Sequence, residues 1–228
     1  MSKNIILVGS SSELAIEFHK EIKNDFKIHK ISSKKDSNPD LLINNYIVEQ
    51  EKIVEFISNF INPYIIFFNG YLKENRPYFS PSQKEIFETF NVNYQIPLLL
   101  TKQIKNHNLR AKYIYISSVA SIKPREKNFI YGIAKHRLEK EISELDIDAL
   151  FLKFGKIRTK MSEKHFDPPF TLDKISAAKL LINSVDKKGI VYPTLGLKLM
   201  AIFIMIFPVS ILDFIEKVSL NKVYKKNR

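Results

Sequence analysis

A serine, a tyrosine and a lysine in the middle of the chain have the chemistry and the spacing to move a proton. Ser118 ends an apolar run that predicts a buried strand, and after twelve intervening residues Tyr131 and Lys135 lie four residues apart. That spacing places both side chains on one face of a predicted helix. An ammonium beside a phenol favours the phenolate, so we expect Lys135 to lower the pKa of Tyr131 from its ordinary value of about 10. A group tuned in this way can interconvert an alcohol and a ketone near neutral pH, while the Ser118 hydroxyl holds the reacting oxygen.

The Tyr-x-x-x-Lys spacing alone is weak evidence, because the chain is rich in both residues and a solvated helix surface gives the same pattern. The N-terminus supplies a second signal. A short apolar run at residues 4–8 is followed by Gly9-Ser-Ser-Ser-Glu-Leu-Ala15 and an amphipathic stretch. Strand, tight turn and helix in that order direct backbone N–H groups at a phosphate. The predicted cofactor contacts in this turn are Gly9, Ser11, Ser12, Glu13 and Leu14.

Glu13 is the departure from that pattern. A glycine is usual at its position, because the backbone there must approach a pyrophosphate closely. Ala15, at the next glycine position, still permits close packing of helix on strand. The sequence leaves open whether the Glu13 side chain points away from the ligand.

The rest of the chain alternates predicted strands and helices. Alternation of this kind implies right-handed crossovers and a parallel sheet covered by helices on both faces, with ligands at the strand ends. At 228 residues and 45% hydrophobic content, the chain can bury one sizeable core. The predicted strands are 4–8, 27–31, 64–68, 112–117, 148–153 and 189–192, with a smaller one near 43–48; the predicted helices are 13–24, 49–60, 82–107, 130–144, 173–186 and a region beyond 196.

These landmarks together resemble the short-chain dehydrogenase/reductase family over nearly the whole chain. The matching segments occur in the family's order: the turn at 9–15, Phe67-Phe-Asn69-Gly70, Asn91-Val-Asn93-Tyr, Ser118 with Tyr131 and Lys135, and Phe154-Gly155-Lys-Ile-Arg-Thr159-Lys-Met161. The resemblance implies a single-domain, Rossmann-like, doubly wound α/β fold and an NAD(P)-dependent oxidoreductase.

The resemblance also implies roles for individual residues. Asn93 would join Ser118, Tyr131 and Lys135 as the fourth catalytic residue by holding a water of a proton relay. Lys135 would bind the nicotinamide ribose, and Tyr131 would lie beside it. Further cofactor contacts would come from Asn69, Gly70, Ile157 and Thr159. Phe154 stands where the family has proline.

The residues after the second predicted strand bear on the choice of cofactor. An acidic residue there usually marks NAD, whereas a cation or a hydroxyl suits the 2′-phosphate of NADP. Ile31-Ser-Ser-Lys-Lys35 contains no acid before Asp36, which favours NADP with Ser33 and Lys34 as its contacts. NAD stays open, because a lysine-rich surface turn would look the same.

The net charge of +12 does not indicate a nucleic-acid partner, because the basic residues are scattered rather than gathered into one recognition element. The chain has no cysteine, which excludes disulfides and thiolate metal sites and suits a reducing cytoplasm. We predict no metal site and no signal peptide, and we expect a homo-oligomer.

The C-terminal tail, residues 195–228, differs in composition from the catalytic region 1–194. Leu199–Leu212 is apolar except for Ser210, is shorter than a spanning helix requires, and is interrupted by Pro208. Basic residues follow it. Such a segment can lie in a membrane interface, or pack over the active site or a dimer partner, and both can hold together.

The tail resembles a membrane-associated subgroup of the family that includes decaprenylphosphoryl-2-keto-ribose reductase. We therefore favour a reductase of a carbonyl or secondary alcohol on a lipid-linked sugar or another membrane-proximal substrate, as in surface polysaccharide synthesis. It would be cytoplasmic, peripheral on the inner face of the membrane. The alternatives are a soluble carbonyl or 3-oxoacyl reductase with a buried tail, and a non-catalytic cofactor sensor or scaffold, which Glu13 supports.

Overall fold

Seven parallel strands form one sheet in the part of the chain that the structure describes. The structure is a computed structural model that describes residues 3–22, 26–72, 81–107, 109–163 and 167–226. The strands are β1 Lys3–Val8, β2 Phe26–Ser32, β3 Leu41–Leu42, β4 Tyr64–Phe67, β5 Lys112–Ser118, β6 Asp148–Phe154 and β7 Gly189–Val191. Their order in the sheet is β3-β2-β1-β4-β5-β6-β7, with the reversal between β1 and β4. This confirms the predicted doubly wound α/β fold.

Helices cover both faces of this sheet. The helices are α1 Glu13–Glu21, α2 Gln50–Ser58, α3 Gln83–Phe90, α4 Ile96–Asn106, α5 Phe129–Ser143, α6 Lys174–Ile182, α7 Leu195–Ile206 and α8 Val209–Lys226. One face of the sheet packs against α2, α4 and α5, and the other packs against α1 and α6.

The central strand β1 shows why the sequence forms this arrangement. Ile6 and Val8 enter the hydrophobic core on one face, while Ile5 and Leu7 enter the core on the other. All four side chains are buried. An unbroken apolar run is what a parallel strand between two helical layers requires.

Two predicted elements differ from the structure. The small strand predicted near 43–48 is wrong: β3 is Leu41–Leu42, beside the end of β2. The cause is Asn45, whose side-chain oxygen accepts hydrogen bonds from the Ile47 and Val48 N–H groups at 2.9 and 3.2 Å and turns the chain towards α2.

The single helix predicted over 82–107 is also divided. A π-helical segment, Asn91–Gln95, separates α3 from α4. Pro97, in the first turn of α4, has no N–H to continue the regular hydrogen-bond ladder, and the wider turn before it relieves that mismatch.

The tail forms two helices separated by Phe207 and Pro208. Their inner face joins Val119 in a small core through Leu197, Ile204 and Leu212. Their outer face leaves a continuous set of large apolar side chains exposed: Leu195, Leu199, Ile202, Phe203, Met205, Ile206, Val209, Ile211, Phe214, Ile215 and Val218. Among the described residues, no helix is long and apolar enough to cross a membrane.

Polar contacts hold the tail against the loop between β5 and α5. The Lys123 ammonium donates to the carbonyls of Met205 at 2.8 Å and Phe207 at 2.9 Å, at the end of α7. Glu126 pairs with Lys217 at 2.8 Å. We call this loop, residues 119–128, the clamp loop.

Two isoleucines on α7 test which face of the tail is buried. Ile204 is 2% exposed and Ile206 is 69% exposed. We expect Ile204→Ala to lower the free energy of unfolding by about 2–5 kcal/mol, the usual cost of removing a buried aliphatic side chain. Ile206→Ala should change it by less than about 0.5 kcal/mol. Denaturant unfolding of both variants measures the difference, and equal effects would contradict the packing described.

Candidate active site

A cavity of about 250 Å³ opens at the carboxyl ends of the central strands. It lies where an open α/β sheet binds its ligands, beside the reversal in strand order. Three of the four predicted catalytic residues line it, namely Ser118, Tyr131 and Lys135. The predicted cofactor contacts that also line it are Ser12, Leu14, Asn69, Gly70, Ile157 and Thr159.

Ser118, Tyr131 and Lys135 are brought together by β5 and α5. Ser118 is the last residue of β5, and its hydroxyl accepts a hydrogen bond from the Ala120 N–H at 3.2 Å. The Lys135 ammonium donates to the Ile116 carbonyl at 3.0 Å and lies 5.8 Å from the centre of the Tyr131 ring. Lys135 is buried, whereas Tyr131 is partly exposed.

The pKa values of the pair differ from the sequence prediction. Burial raises the pKa of Tyr131 to about 12, with the Glu139 carboxylate acting in the same direction and a hydrogen bond to Ser118 opposing them. Burial lowers the pKa of Lys135 to about 8, and Glu139 opposes that shift. The prediction that the pKa of Tyr131 is lowered is therefore wrong here, because burial disfavours the charged phenolate. At neutral pH the phenol keeps its proton.

Glu139 belongs to a buried polar cluster beneath the cavity. Its carboxylate accepts hydrogen bonds from the hydroxyls of Ser117 and of Ser121, the latter at 2.7 Å, and pairs with the Lys153 ammonium at 2.7 Å. The cluster joins β5, β6 and α5. Sequence reasoning missed Glu139, although it continues the four-residue spacing of Tyr131 and Lys135 along one helix face.

Gly132 sets how closely the clamp loop approaches Tyr131. A Cβ atom at Gly132 would lie 2.8 Å from the Ala120 carbonyl oxygen and 3.2 Å from the Pro124 Cα. Only glycine permits this contact between the first turn of α5 and the clamp loop.

Asn93 lies behind the cavity rather than in its wall. It is fully buried in the π-helical segment. Its amide nitrogen donates to the carbonyls of Tyr71 at 2.7 Å and Thr89 at 2.9 Å, and its amide oxygen accepts from the Tyr71 N–H at 3.3 Å. The side chain thus fixes the backbone that follows Gly70, and its role in a proton relay stays a prediction.

The turn after β1 has the shape that a phosphate site needs. Gly9 has a positive φ of 83°, and a Cβ atom there would lie 3.1 Å from the Asn69 nitrogen. Ser12 precedes α1 without capping it through its side chain, which leaves the first N–H groups of the helix without a side-chain acceptor. Two buried oxygens near this turn, Ser10 Oγ and Asn69 Oδ1, have no hydrogen-bond partner among the described residues. These features fit the diphosphate and nicotinamide side of a dinucleotide.

The segment that follows β6 holds the side chain of Glu13. Its carboxylate accepts a hydrogen bond from the Lys160 N–H at 2.5 Å and pairs with the Lys174 ammonium at 3.2 Å. Glu13 does not line the cavity; it ties the start of α1 to the segment after β6. The role of Glu13 as a cofactor contact stays a prediction.

Gly9, Ser11, Ser33 and Lys34 also lie outside the cavity wall. Ser33 and Lys34 follow β2 and are exposed. The N–H groups of Gly9 and Ser10 donate to the Ile31 carbonyl at 3.0 and 3.1 Å, which places the turn directly beside the end of β2. Their roles as cofactor contacts stay predictions.

The lining residues that sequence reasoning did not assign to the site include Arg125, Lys156, Met200 and Glu216. Arg125 belongs to the clamp loop, and its guanidinium pairs with the Glu216 carboxylate of α8. The sequence gives little reason to place Arg125 or Glu216 in the site, because Arg125 is one basic residue among many and Glu216 lies far along the chain.

Solved structures of short-chain dehydrogenases resemble this chain. A short-chain dehydrogenase from Burkholderia cenocepacia, in complex with NADP, matches with a TM-score of 0.73 and 12% identity, over 91% of this chain and 98% of that one. Thermoplasma acidophilum aldohexose dehydrogenase, in ligand-free form, matches with a TM-score of 0.67 and 13% identity, over 87% of this chain and 94% of that one. The carbonyl reductase Sniffer of D. melanogaster matches with a TM-score of 0.66 and 15% identity, over 85% of this chain and 97% of that one.

No protein-family model matches the sequence. At these identities the structural matches establish the fold, which is that of short-chain dehydrogenases and reductases. The predicted membrane-associated subgroup finds no match among the structures named.

Glu13 yields a prediction about stability and pH. Its contacts lower its pKa, chiefly through the Lys160 N–H, so the stability they contribute is present above the unfolded pKa and is lost as pH falls through the folded pKa. Glu13→Gln keeps an acceptor but loses the charge, which should cost about 1 kcal/mol at pH 7. Denaturant unfolding should show this difference at pH 7 and a smaller one near pH 3. A difference that is the same at both pH values would contradict the ionic role.

Proposed function

We propose that this protein is an NADP-dependent oxidoreductase that reduces a carbonyl group to a secondary alcohol. The observation that carries the proposal is the convergence of Ser118, Tyr131 and Lys135 on one cavity that extends to the start of α1. The NADP-bound short-chain dehydrogenase among the structural matches supports the choice of cofactor.

The cofactor would be held along one side of the cavity. When bound, a nicotinamide cofactor supplies the two-electron reduction of the carbonyl carbon. The N-terminus of α1 at Ser12, with Asn69, Gly70 and Thr159, would hold it, and Lys135 would contact its ribose. Ser33 and Lys34 are exposed at the end of β2, and the sequence from Ile31 has no acidic residue before Asp36.

The protein's own residues handle the proton. Ser118 orients the carbonyl oxygen by donating a hydrogen bond, and the Tyr131 hydroxyl donates its proton to that oxygen as it becomes an alkoxide. With its pKa raised to about 12, the Tyr131 hydroxyl carries at neutral pH the proton that reduction requires. The Lys135 ammonium stabilises the phenolate that remains, since opposite charges attract strongly away from bulk water.

Removing the Tyr131 hydroxyl tests this mechanism. Tyr131→Phe should lower kcat by about 10²- to 10⁴-fold, the contribution of a positioned acid, while the ring keeps its packing. Steady-state reduction of a panel of aldehydes and ketones with NADPH measures the effect.

Cofactor titration serves as the control. NADPH should bind the wild type and Tyr131→Phe equally, and more tightly than NADH does. A variant that retains more than about a tenth of the wild-type kcat would remove Tyr131 from the mechanism, and tighter binding of NADH would contradict the choice of NADP.

We further propose that the protein works at a membrane surface on a lipid-linked or otherwise apolar substrate. Support comes from the two faces of the tail: Met200 lines the cavity, while Leu199 and Ile202 on the same helix are exposed. A substrate lying in the interface would therefore reach the cavity along α7. The narrower proposal of a lipid-linked sugar in surface polysaccharide synthesis rests on the resemblance of the tail alone. A soluble reductase is the competing hypothesis, and the buried inner face of the tail agrees with it.

Liposome co-sedimentation separates these two. We expect the wild type to bind vesicles that contain anionic lipid. Added salt should weaken part of this binding, because the tail ends in basic residues that anionic lipid attracts. Replacing both Ile206 and Phe214 by Ser should reduce binding at every salt concentration without lowering Tm, since these side chains are 69% and 67% exposed. Wild-type protein that stays in the supernatant would exclude the membrane hypothesis and leave the reductase intact.

A further inference from the structure

We propose that Arg125 binds an anionic group, a phosphate or a carboxylate, carried by the substrate, and that Glu216 occupies this position until the substrate arrives. The inference rests on the proposed function for the identity of the site, and it narrows the substrate to an anionic compound.

The position of Arg125 is fixed relative to the reacting oxygen. Arg125 stands six residues before Tyr131, in the clamp loop, and both line the same cavity. The close contact of Gly132 with Ala120 and Pro124 holds that loop against the first turn of α5. A substrate whose carbonyl meets Tyr131 would therefore occupy the same cavity as Arg125.

Arg125 is poorly satisfied by the protein itself. Its side chain is only 13% exposed, and it pairs with Glu216 through one terminal nitrogen. Its Nε atom is buried and has no hydrogen-bond partner among the described residues. A guanidinium presents five donors in a planar fork that matches a carboxylate or a phosphate through two parallel bonds. Within the part of the chain that the structure describes, the contact with Glu216 engages one of these five donors.

The charge of the cavity favours an anion. Among the described residues that line it, Arg125, Lys135 and Lys156 are basic, whereas Glu216 is the one acid. Lys135 serves the proton transfer, and Lys156 pairs with Asp167 at 2.6 Å. When a substrate displaces Glu216, the cavity wall carries an excess of positive charge that an anionic substituent would balance.

Apart from Lys135 at the ribose, the residues proposed to hold the cofactor belong to other segments of the chain than Arg125 and Glu216 do. Those residues come from the β1–α1 turn, the end of β4 and the segment after β6, whereas Arg125 and Glu216 come from the clamp loop and the tail. The cofactor phosphates therefore do not account for Arg125. The exposed apolar face that flanks Glu216 suits a substrate with an apolar part next to its anionic group.

Calorimetric titration tests the site without turnover. The probes are octyl phosphate and octanoate, with 1-octanol as the neutral match. We expect both anions to bind the wild type more tightly than 1-octanol does. Arg125→Met should lower the affinity for both anions about 10- to 100-fold, which is the range for losing hydrogen bonds to a charged group. The affinity for 1-octanol should not change. Glu216→Gln should tighten the anions, because the competing carboxylate is gone.

The paired variants separate anion binding from loosening of the tail. Arg125→Met and Glu216→Gln break the same ion pair but should change anion affinity in opposite directions. Glu126→Gln breaks the pair with Lys217, which lies outside the cavity wall, and should leave anion affinity unchanged.

Equal anion affinity in the wild type and Arg125→Met, no anion binding by the wild type, or a loss in Glu216→Gln matching that in Arg125→Met would each overturn the proposal. Because none of these titrations needs NADPH or a reducible substrate, their failure is distinct from a failure of the Tyr131→Phe test.

Discussion

The burial of charge beneath the cavity is the constraint on which the site depends. Glu139 and Lys153 are both buried, and an ion pair removed from water is tolerated only when its remaining donors and acceptors are satisfied. Ser117 and Ser121 provide that satisfaction from the end of β5 and the start of the clamp loop. The strand that presents Ser118, the helix that presents Tyr131 and the loop that carries Arg125 therefore meet at one carboxylate.

The same burial explains why Tyr131 and Lys135 behave differently from a pair on a helix surface. In water, the ammonium would favour the phenolate. In this site the loss of hydration dominates both groups and keeps the phenol protonated. The arrangement holds a proton donor ready next to a cation that can compensate its charge once the proton has left.

The fold could be predicted because its strands carry a strong local signal. The run Ile5–Val8 is apolar at every position, and such a run between a turn and an amphipathic helix has few other interpretations. Ser118, Tyr131 and Lys135 could be predicted for a related reason. Ser118 ends a recognisable strand, and Tyr131 and Lys135 lie in the first turns of a recognisable helix. The orientation of Glu13 could not be predicted, because it depends on Lys160 and Lys174, which lie far away along the chain. Arg125 and Glu216 are likewise paired only by the tertiary fold. The predicted homo-oligomer and the division at residue 194 stay predictions.

The break at Pro208 has a consequence for how the polypeptide can be shortened. A helix that ends there leaves carbonyl groups without donors, and the Lys123 ammonium supplies the missing donors at Met205 and Phe207. Hydrogen bonds thus join the end of α7 to the clamp loop, which follows Ser118. A protein shortened to end at residue 194 would lose Met200 and Glu216 from the wall of the cavity and would leave Arg125 without the carboxylate that pairs with it. The tail is therefore a structural part of the site and cannot be removed without altering it.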